Sequence, residues 1–385
     1  MSRFVSGNQV TLLCNGTEYF PALMTAIHKA KHEIYLQTYI YELDQVGLAV
    51  GDALKQAAAR GVFVFLLLDG FGCRKLSKQY INSLKTSGVE GLFFRPKISP
   101  WTLKRSRLRR LHSQLTVVDG VVGFVGGINI IDDFNTPSHT PPRIDYAVQI
   151  EGPLLKSMRN NAKLQWRRVC QRQFGKARSS HLAIDHPHSS FGKMEAAFIV
   201  RDNVKHRKDI ENAYLSAIES STTEIIIANA YFLPGLRFRH ALREAAARGV
   251  RVTLLLQQRT EYALLDFATR ALYSTLLNQG INIYEYHKSF MHSKVAVIDD
   301  KLAIVGSSNI DPFSLFLSIE ANVIVNNDDF SGQLKQSLQH AIDDGSTLIT
   351  VDDWHHHYYV KRLVSWVVYG LVKLVMGIAG YPERS

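Results

Sequence analysis

The sequence predicts an α/β protein of two similar lobes, each a mixed β-sheet flanked by helices, with one active site shared at the lobe interface. Three observations lead to this prediction: a repeat of a whole domain, strands that alternate with helices, and a His-centred motif that occurs twice. With 385 residues, of which 46% are hydrophobic, the chain is too long for one ordinary core and has enough apolar side chains for two.

An internal repeat indicates that both lobes derive from one duplicated domain. The segment ALKQAAARGVFVFLLL at 53–68 returns as ALREAAARGVRVTLLL at 241–256. Upstream, AIHKAKHEIYLQTYIY at 26–41 is matched by AIESSTTEIIIANAYF at 217–232, at nearly the same offset. The Ala-rich segments read as a helix, a glycine stop and a buried strand. Because strands alternate with helices, each lobe is predicted to hold a parallel-rich sheet covered by helices.

The most informative motif is HSKVAVID at 292–299, with its imperfect twin HSQLTVVD at 112–119. Each copy runs into an apolar strand and a Gly-rich turn that ends in Asn. Residues two positions apart on a strand share a face, so His292 and Lys294 should point the same way. A lysine offers a fixed positive charge to a phosphate oxygen, and a histidine can attack phosphorus or protonate a leaving alkoxide. Two histidines therefore allow one of each role, with a covalent phospho-histidine between the steps.

These motifs resemble those of the phospholipase D superfamily, His-x-Lys-x4-Asp followed by Gly-x-x-Asn. The segment HSKVAVIDDKLAIVGSSNIDPFSLFLSIEANV carries the more specific match. Within the superfamily, residues 8–380 are most similar to the shorter bacterial cardiolipin synthases that lack an N-terminal pair of membrane helices. The first motif departs from the pattern at Gln114, where the second has Lys294, and at Gly127, where the second has Ser307.

The resemblance implies a role for each residue that matches the motifs. His112 would be the nucleophile on phosphorus, and His292 the general acid and base. Glu320 and Asp145 would each be an acid that orients a histidine, with Asp145 as the partner in the first lobe. The remaining implied residues are Lys294, Gln114, Asn129, Ser307 and Asn309 at the phosphoryl oxygens, and Asp119 and Asp299 as structural ties near the site.

The implied reaction condenses phosphatidylglycerol with the headgroup alcohol of a second phospholipid to give cardiolipin and glycerol. One phosphodiester is exchanged for another, so no nucleotide or other cofactor is needed, and no cluster of Cys, His and Asp in the sequence demands a metal. Two alternatives stay open. The first alternative is a hydrolytic phospholipase D-type phosphodiesterase or nuclease. The second, which follows from Gln114, is a catalytically silent lipid-binding homologue.

We predict a first lobe at 1–175, a polar linker at 176–193, a second lobe at 194–350 and an amphipathic membrane-associating tail at 351–385. The tail includes the apolar stretch LVSWVVYGLVKLVMGIAG at 363–380, which reads as a helix lying in the membrane surface. The three cysteines are widely spaced and odd in number, which argues against a disulfide framework.

The charge of the chain indicates an anionic partner. The net charge is +11, and basic residues are concentrated in KISPWTLKRSRLRRLH at 97–112, directly before the first motif. Such runs suit an anionic polymer or an anionic bilayer, and the apolar tail favours the bilayer. We therefore expect anionic phospholipids, phosphatidylglycerol and cardiolipin, and a membrane surface as partners, with no nucleic acid. The predicted location is peripheral, on the cytoplasmic face of the bacterial inner membrane; the oligomeric state stays open.

Overall fold

The computed structural model describes residues 4–96, 108–175, 190–356 and 365–370. The strands are β1 (Val5–Cys14), β2 (Glu33–Thr38), β3 (Phe63–Asp69), β4 (Glu90–Phe94), β5 (Gln114–Val118), β6 (Val122–Gly126), β7 (Arg143–Ile144), β8 (Tyr146–Glu151), β9 (Met194–Arg201), β10 (Glu224–Asn229), β11 (Arg251–Gln257), β12 (Asn282–Tyr286), β13 (Phe290–Met291), β14 (Lys294–Ile298), β15 (Leu302–Gly306), β16 (Glu320–Asn326) and β17 (Ser346–Ile349). The helices are α1 (Asn15–Lys29), α2 (Gln45–Ala59), α3 (Lys78–Thr86), α4 (Leu155–Phe174), α5 (Asp209–Ser220), α6 (Leu236–Ala247), α7 (Ala263–Arg270), α8 (Tyr273–Leu277), α9 (Pro312–Phe316), α10 (Asp328–Gly345) and α11 (Val351–His356).

One sheet of 15 strands runs through the molecule and repeats the same order on each side of its centre. From the centre, β1-β8-β6-β5-β2-β3-β4 forms the first lobe, and β9-β16-β15-β14-β10-β11-β12-β17 forms the second lobe. Strands β1 and β9 pair antiparallel, so hydrogen bonds join the two lobes. The predicted α/β fold of two similar lobes, each a mixed sheet flanked by helices, is confirmed.

The repeated Ala-rich segments form α2 and α6, as the sequence predicted. Each helix is followed by a glycine with a positive φ, 90° at Gly61 and 89° at Gly249, a conformation that glycine adopts without steric cost. The chain then enters β3 or β11, which pair in parallel with β2 and β10. The helix, glycine and strand pattern therefore builds the same βαβ unit in each lobe.

Within the described part of the chain, three apolar cores hold these layers together. In the first lobe, α1 and α2 pack on the sheet through side chains such as Leu23 and Leu54. In the second lobe, α5 and α6 do the same, with Leu242 fully buried. The third core contains strand residues of both lobes, among them Val125 and Val323. Because this third core contains residues of both lobes, the two lobes pack together as one unit.

The candidate site lies at one edge of this sheet. Strand β2 ends where β5 begins, with Gln37 opposite Leu115, and β10 ends where β14 begins, with Asn229 opposite Lys294. A second, two-stranded sheet pairs β7 of the first lobe with β13 of the second at this edge. The pairing of β7 with β13 brings the segments that carry the two motifs close together.

The predicted domain boundaries stay predictions, since residues 176–189 of the linker and 97–107 of the basic run lie outside the described residues. Of the predicted tail helix, residues 365–370 are described, and they are helical. Ser365 and Tyr369 are buried, whereas Trp366 and Val367 are 49% and 67% exposed. Among the described helices, none combines the length and the apolar character that crossing a membrane requires.

Candidate active site

His112 lies two residues before the start of β5 and is held by residues of the second lobe. Its backbone N–H donates to the carbonyl of Ile319 at 2.9 Å, and the Ile319 N–H donates to the carbonyl of Arg110 at 2.8 Å. The next residue, Glu320, places its Oε2 atom 3.0 Å from Nδ1 of His112. Because both backbone and side chain are fixed, the orientation of the imidazole is set by the opposite lobe.

His292 lies between β13 and β14, two residues before the start of β14, and is held in the same way by the first lobe. Its N–H donates to the carbonyl of Ile144 at 2.7 Å. The next residue, Asp145, places its Oδ2 atom 2.7 Å from Nδ1 of His292. The site therefore has approximate two-fold symmetry, in which each lobe contributes one histidine and the acid that contacts the other histidine.

This crossing adds to the prediction, which named Asp145 as the acid of the first lobe and Glu320 as that of the second without assigning either to a histidine. The carboxylate of Asp145 contacts His292 of the second lobe, and Glu320 contacts His112. The reason is that β7 pairs with β13, and that Leu111 forms an isolated bridge with Ile319. Each of these contacts brings the residue before the acid beside the other lobe's motif.

Lys294 and Gln114, each two positions after a histidine, occupy equivalent places but differ in charge. The ammonium of Lys294 is fully buried, contacts the carbonyl of His292, and lies 2.8 Å from Nδ1 of His292 and 3.3 Å from Oδ2 of Asp145. The amide of Gln114 is also buried, 3.0 Å from Oδ1 of Asn129. With its amide rotated, Gln114 donates to the carbonyl of His112, as Lys294 does to that of His292. Gln114 thus occupies the place of the lysine without its charge.

The electrostatics of the two histidines differ as a result. Burial disfavours the charge of His112, but the Glu320 carboxylate outweighs burial through its charge and its hydrogen bond, so the pKa of His112 is raised. Burial and the ammonium of Lys294 lower the pKa of His292 to about 4, although Asp145 acts in the opposite direction. His112 therefore holds its proton more tightly than a free histidine, and His292 is neutral at neutral pH.

The Gly-rich turns place Asn129 and Asn309 in the site, both nearly fully buried. Oδ1 of Asn129 accepts the N–H of Ile40 at 3.0 Å, while Oδ1 of Asn309 has no hydrogen-bond partner among the described residues. Ser307 donates to Glu320 and accepts the N–H of Ala321 at 3.0 Å. Its hydroxyl therefore positions the acid beside His112 in this structure, and its predicted contact with a phosphoryl oxygen stays a prediction.

Gly127, the counterpart of Ser307, leaves room for the acid of the first lobe. A Cβ atom at Gly127 would lie 2.3 Å from Oδ1 and 2.6 Å from Oδ2 of Asp145. Because Asp145 must approach this turn to reach His292, a side chain at 127 would displace the carboxylate. The departure from the motif at Gly127 is therefore explained by packing.

Asp119 and Asp299 lie at the far ends of β5 and β14 from the histidines. Asp119 accepts the backbone N–H groups of residues 31–33, and Asp299 accepts those of residues 222–224. These are the bonds of structural ties, as predicted, but the predicted position near the site is corrected. Each Asp follows its histidine by 7 positions along an extended segment, about 23 Å at roughly 3.3 Å per residue.

Aromatic and basic residues that the sequence reasoning missed complete the site. The ring of Tyr39 lies 4.7 Å from that of His112, and the ring of Tyr231 lies 6.4 Å from that of His292. Tyr39 follows the end of β2, and Tyr231 follows the end of β10. This position after the two strands, at the edge of the sheet that carries the motifs, is the sequence signal from which both tyrosines could have been predicted. Arg143, 8% exposed, lies over the ring of Phe290, and its charge also lowers the pKa of His292. Within the described ranges, no group of three or more His, Cys, Asp or Glu side chains is arranged to hold a metal ion.

Comparisons with known proteins show the family of this chain. A sequence profile described as cardiolipin synthase, PLD-like domain, matches residues 23–136 and 214–342. Proteins named cardiolipin synthase B from Shigella flexneri and Escherichia coli (strain K12) are 37% identical over 342 residues, 86% of this chain and 80% of theirs. The chain belongs to the cardiolipin synthase family. Another member of this family, cardiolipin synthase 2 of Bacillus anthracis, is 31% identical over 91% of this chain and 68% of its own length.

Solved structures show where else this fold occurs. The crystal structure of phosphatidylserine synthase from Haemophilus influenzae matches with a TM-score of 0.67 over 98% of this chain and 95% of its own, at 13% identity. Polyphosphate kinase from Porphyromonas gingivalis matches with a TM-score of 0.59 over 89% of this chain and 49% of its own, at 12% identity. At these identities the likeness concerns the fold alone.

Proposed function

We propose that this member of the cardiolipin synthase family is a phosphatidyltransferase that condenses phosphatidylglycerol with the headgroup alcohol of a second phospholipid, giving cardiolipin and glycerol. The names of its relatives support the reaction class. The observation that carries the proposal is the pair of crossed contacts, His112 with Glu320 and His292 with Asp145, at one sheet edge. Exchange of phosphodiesters through a phospho-histidine requires one histidine that attacks and another that moves protons.

We assign the attack on phosphorus to His292 and the proton transfers to His112. Asp145 holds Nδ1 of His292, so the Nε2 atom of the neutral ring carries the lone pair that can attack. Glu320 holds Nδ1 of His112 and favours its charged form, so Nε2 of His112 carries a proton to donate. This order reverses the roles that the resemblance implies, because a lysine lies beside His292 and a neutral amide lies beside His112.

The reaction then proceeds in two balanced steps. In the first, Nε2 of His292 forms a bond to phosphorus, the bond from phosphorus to the glycerol oxygen breaks, and His112 gives its proton to that oxygen. In the second, a hydroxyl of the acceptor headgroup gives its proton to His112, its oxygen attacks phosphorus, and the bond to His292 breaks. Lys294, Asn129 and Asn309 would stabilise the phosphoryl oxygens, and the amide of Gln114 would supply a hydrogen bond without charge.

We further propose that the protein works peripherally on the cytoplasmic face of the bacterial inner membrane, where both lipid substrates are present. The exposed side chains of Trp366 and Val367 support an apolar contact with the bilayer surface. The net charge of +11 supports attraction to anionic lipids.

Incubation of the purified protein with vesicles of phosphatidylglycerol, followed by mass spectrometry of the lipids, tests the reaction. Cardiolipin with release of glycerol supports the proposal. Phosphatidic acid without cardiolipin indicates a hydrolytic phosphodiesterase instead. Unchanged lipid, with the protein bound to the vesicles, indicates a lipid-binding homologue that Gln114 has silenced.

A phosphatidyl ester of p-nitrophenol tests the assignment of the histidines, because this leaving group departs without a proton. We expect His112→Ala to release one equivalent of nitrophenol per protein and to retain a phosphatidyl group on His292. We expect His292→Ala to release none. The opposite pattern, with the adduct on His112, would restore the roles that the resemblance implies.

A further inference from the structure

Two arginines and an aromatic ring form a cluster beside His112. The guanidinium carbons of Arg74 and Arg110 lie 4.5 and 4.7 Å from the centre of the Phe71 ring, within the range of cation–π contact. Arg110 precedes His112 by two residues in an extended segment, while Leu111 between them is fully buried. The charge of Arg110 also acts to lower the pKa of Tyr39, although burial raises it overall, and the ring of Tyr39 lies 4.7 Å from that of His112.

Hydrogen bonds to Asp69 join the backbone segments that carry the cluster. The carboxylate of Asp69, only 1% exposed, accepts the N–H of Phe71 at 2.8 Å, of Gly72 at 3.0 Å and of Leu111 at 2.8 Å. It thereby ties the turn that carries Phe71 to the segment that carries His112. Ile319 fixes the same segment from the second lobe. The backbone segments that carry the two arginines are thus fixed relative to the proton-transferring histidine.

The positive charge of the cluster reaches the rim of the site in both lobes. The charges of Arg74 and Arg110 act to lower the pKa of the Tyr262 hydroxyl of the second lobe, although burial raises it overall. The ring of Tyr262 is half-exposed and lies 5.6 Å from that of Tyr231, which borders His292. Among the described residues, Arg74 has no ion-pair partner, so its charge is available to a ligand.

We propose that Arg74 and Arg110, stacked on Phe71, form a subsite for the phosphodiester of the acceptor phospholipid. The inference rests on the proposed function. In an acceptor such as phosphatidylglycerol, a single glycerol unit separates the reacting hydroxyl from the phosphate. A hydroxyl at His112 therefore brings that phosphate to the neighbouring guanidinium groups. Planar guanidinium groups bind phosphate oxygens in pairs, which makes the subsite selective for acceptors that carry a phosphate over water or a simple alcohol.

Competition between two acceptors within one reaction tests the subsite. Vesicles of phosphatidylglycerol are supplied with ethanol, and mass spectrometry measures the ratio of cardiolipin to phosphatidylethanol. Both products come from one phosphatidyl-enzyme, so the ratio is independent of donor affinity and of any fraction that fails to fold. We expect Arg74→Gln and Arg110→Gln each to lower the ratio about tenfold, the loss of one charge-assisted hydrogen bond.

Two further variants sharpen the result. Lys75→Gln removes an adjacent exposed charge, which pairs with Glu42 at 3.6 Å, and should leave the ratio as it is. Arg110→Lys keeps the charge but loses the planar group, and should lower the ratio. An unchanged ratio in both glutamine variants would overturn the subsite, as would an equal fall in Lys75→Gln. If the unaltered protein forms neither product, the proposed function fails and the subsite with it.

Discussion

Lys294 lies 2.8 Å from Nδ1 of His292, and the matching position beside His112 holds the uncharged Gln114. At the scale of single residues, this one exchange gives two histidines on the same scaffold different affinities for a proton. A buried lysine would lower the pKa of either ring, and without it the carboxylate of Glu320 dominates at His112. The same loss removes a cation from the phosphate site, by analogy about 2.7–4 kcal/mol of transition-state stabilisation.

The variant Gln114→Lys should therefore move the alkaline limb of the pH–rate profile to lower pH. The expected cause is a lowered pKa of His112, since the new ammonium would act on it as Lys294 acts on His292. The histidine signals in NMR titrations should shift in the same direction. An alkaline limb that stays in place would mean that another group controls it.

Removal of the two acids should have unequal effects on stability. Asp145→Asn leaves the fully buried ammonium of Lys294 without a carboxylate and should cost about 3–5 kcal/mol. Glu320→Gln should cost less, because His112 can release its proton once its partner is neutral. Urea unfolding of both variants measures the difference, and equal costs would contradict the assigned charges.

At the scale of elements, the sequence predicted strands, helices and both motifs because their signals are local. The Ala-rich repeats became α2 and α6, and the motif segments became β5 and β14. The exchange of acids between lobes could not be predicted, since it depends on the pairing of β7 with β13. That pairing has only two residues in each strand and joins segments far apart in the chain, so no local pattern reports it.

The close approach of the turn at Gly127 to Asp145 gives a test at this scale. Gly127→Ala should lower turnover about 10²-fold, because a displaced carboxylate misaligns His292. Gly91→Ala in β4 is the matched control, since a Cβ there meets no heavy atom within 4 Å. Steady-state kinetics of both variants decide the matter. Equal activity of the two would show that Asp145 tolerates the shift.

At the scale of the whole molecule, the helix at 365–370 has one face packed on the second lobe and another that is exposed, and we propose that the exposed face contacts the membrane. Tyr369 belongs to the apolar core of the second lobe, whereas Trp366 and Val367 are exposed. Ser365 is also buried. The face with Ser365 and Tyr369 therefore packs on the lobe, and Trp366 and Val367 lie on the exposed face.

The double variant Trp366→Ser/Val367→Ser should remove the part of vesicle binding that resists salt. Burial of these side chains in lipid contributes independently of ionic strength, whereas attraction of basic residues to anionic lipid, about 1 kcal/mol for each, is screened. Sedimentation with phosphatidylglycerol vesicles at low and high salt measures both parts. Tyr369→Phe is the control that should keep them. Salt-resistant binding in the double variant would place the anchor elsewhere.

The joining of both lobes in one chain has a consequence for how such a site can diverge. In a symmetric dimer of identical lobes, every substitution appears in both half-sites at once, so a lysine lost beside one histidine is lost beside the other. Here the pairing of β1 with β9 unites two copies that are encoded separately. In the fused chain, one lobe can keep Lys294 while the other carries Gln114. A homodimer of identical lobes could not have this asymmetry.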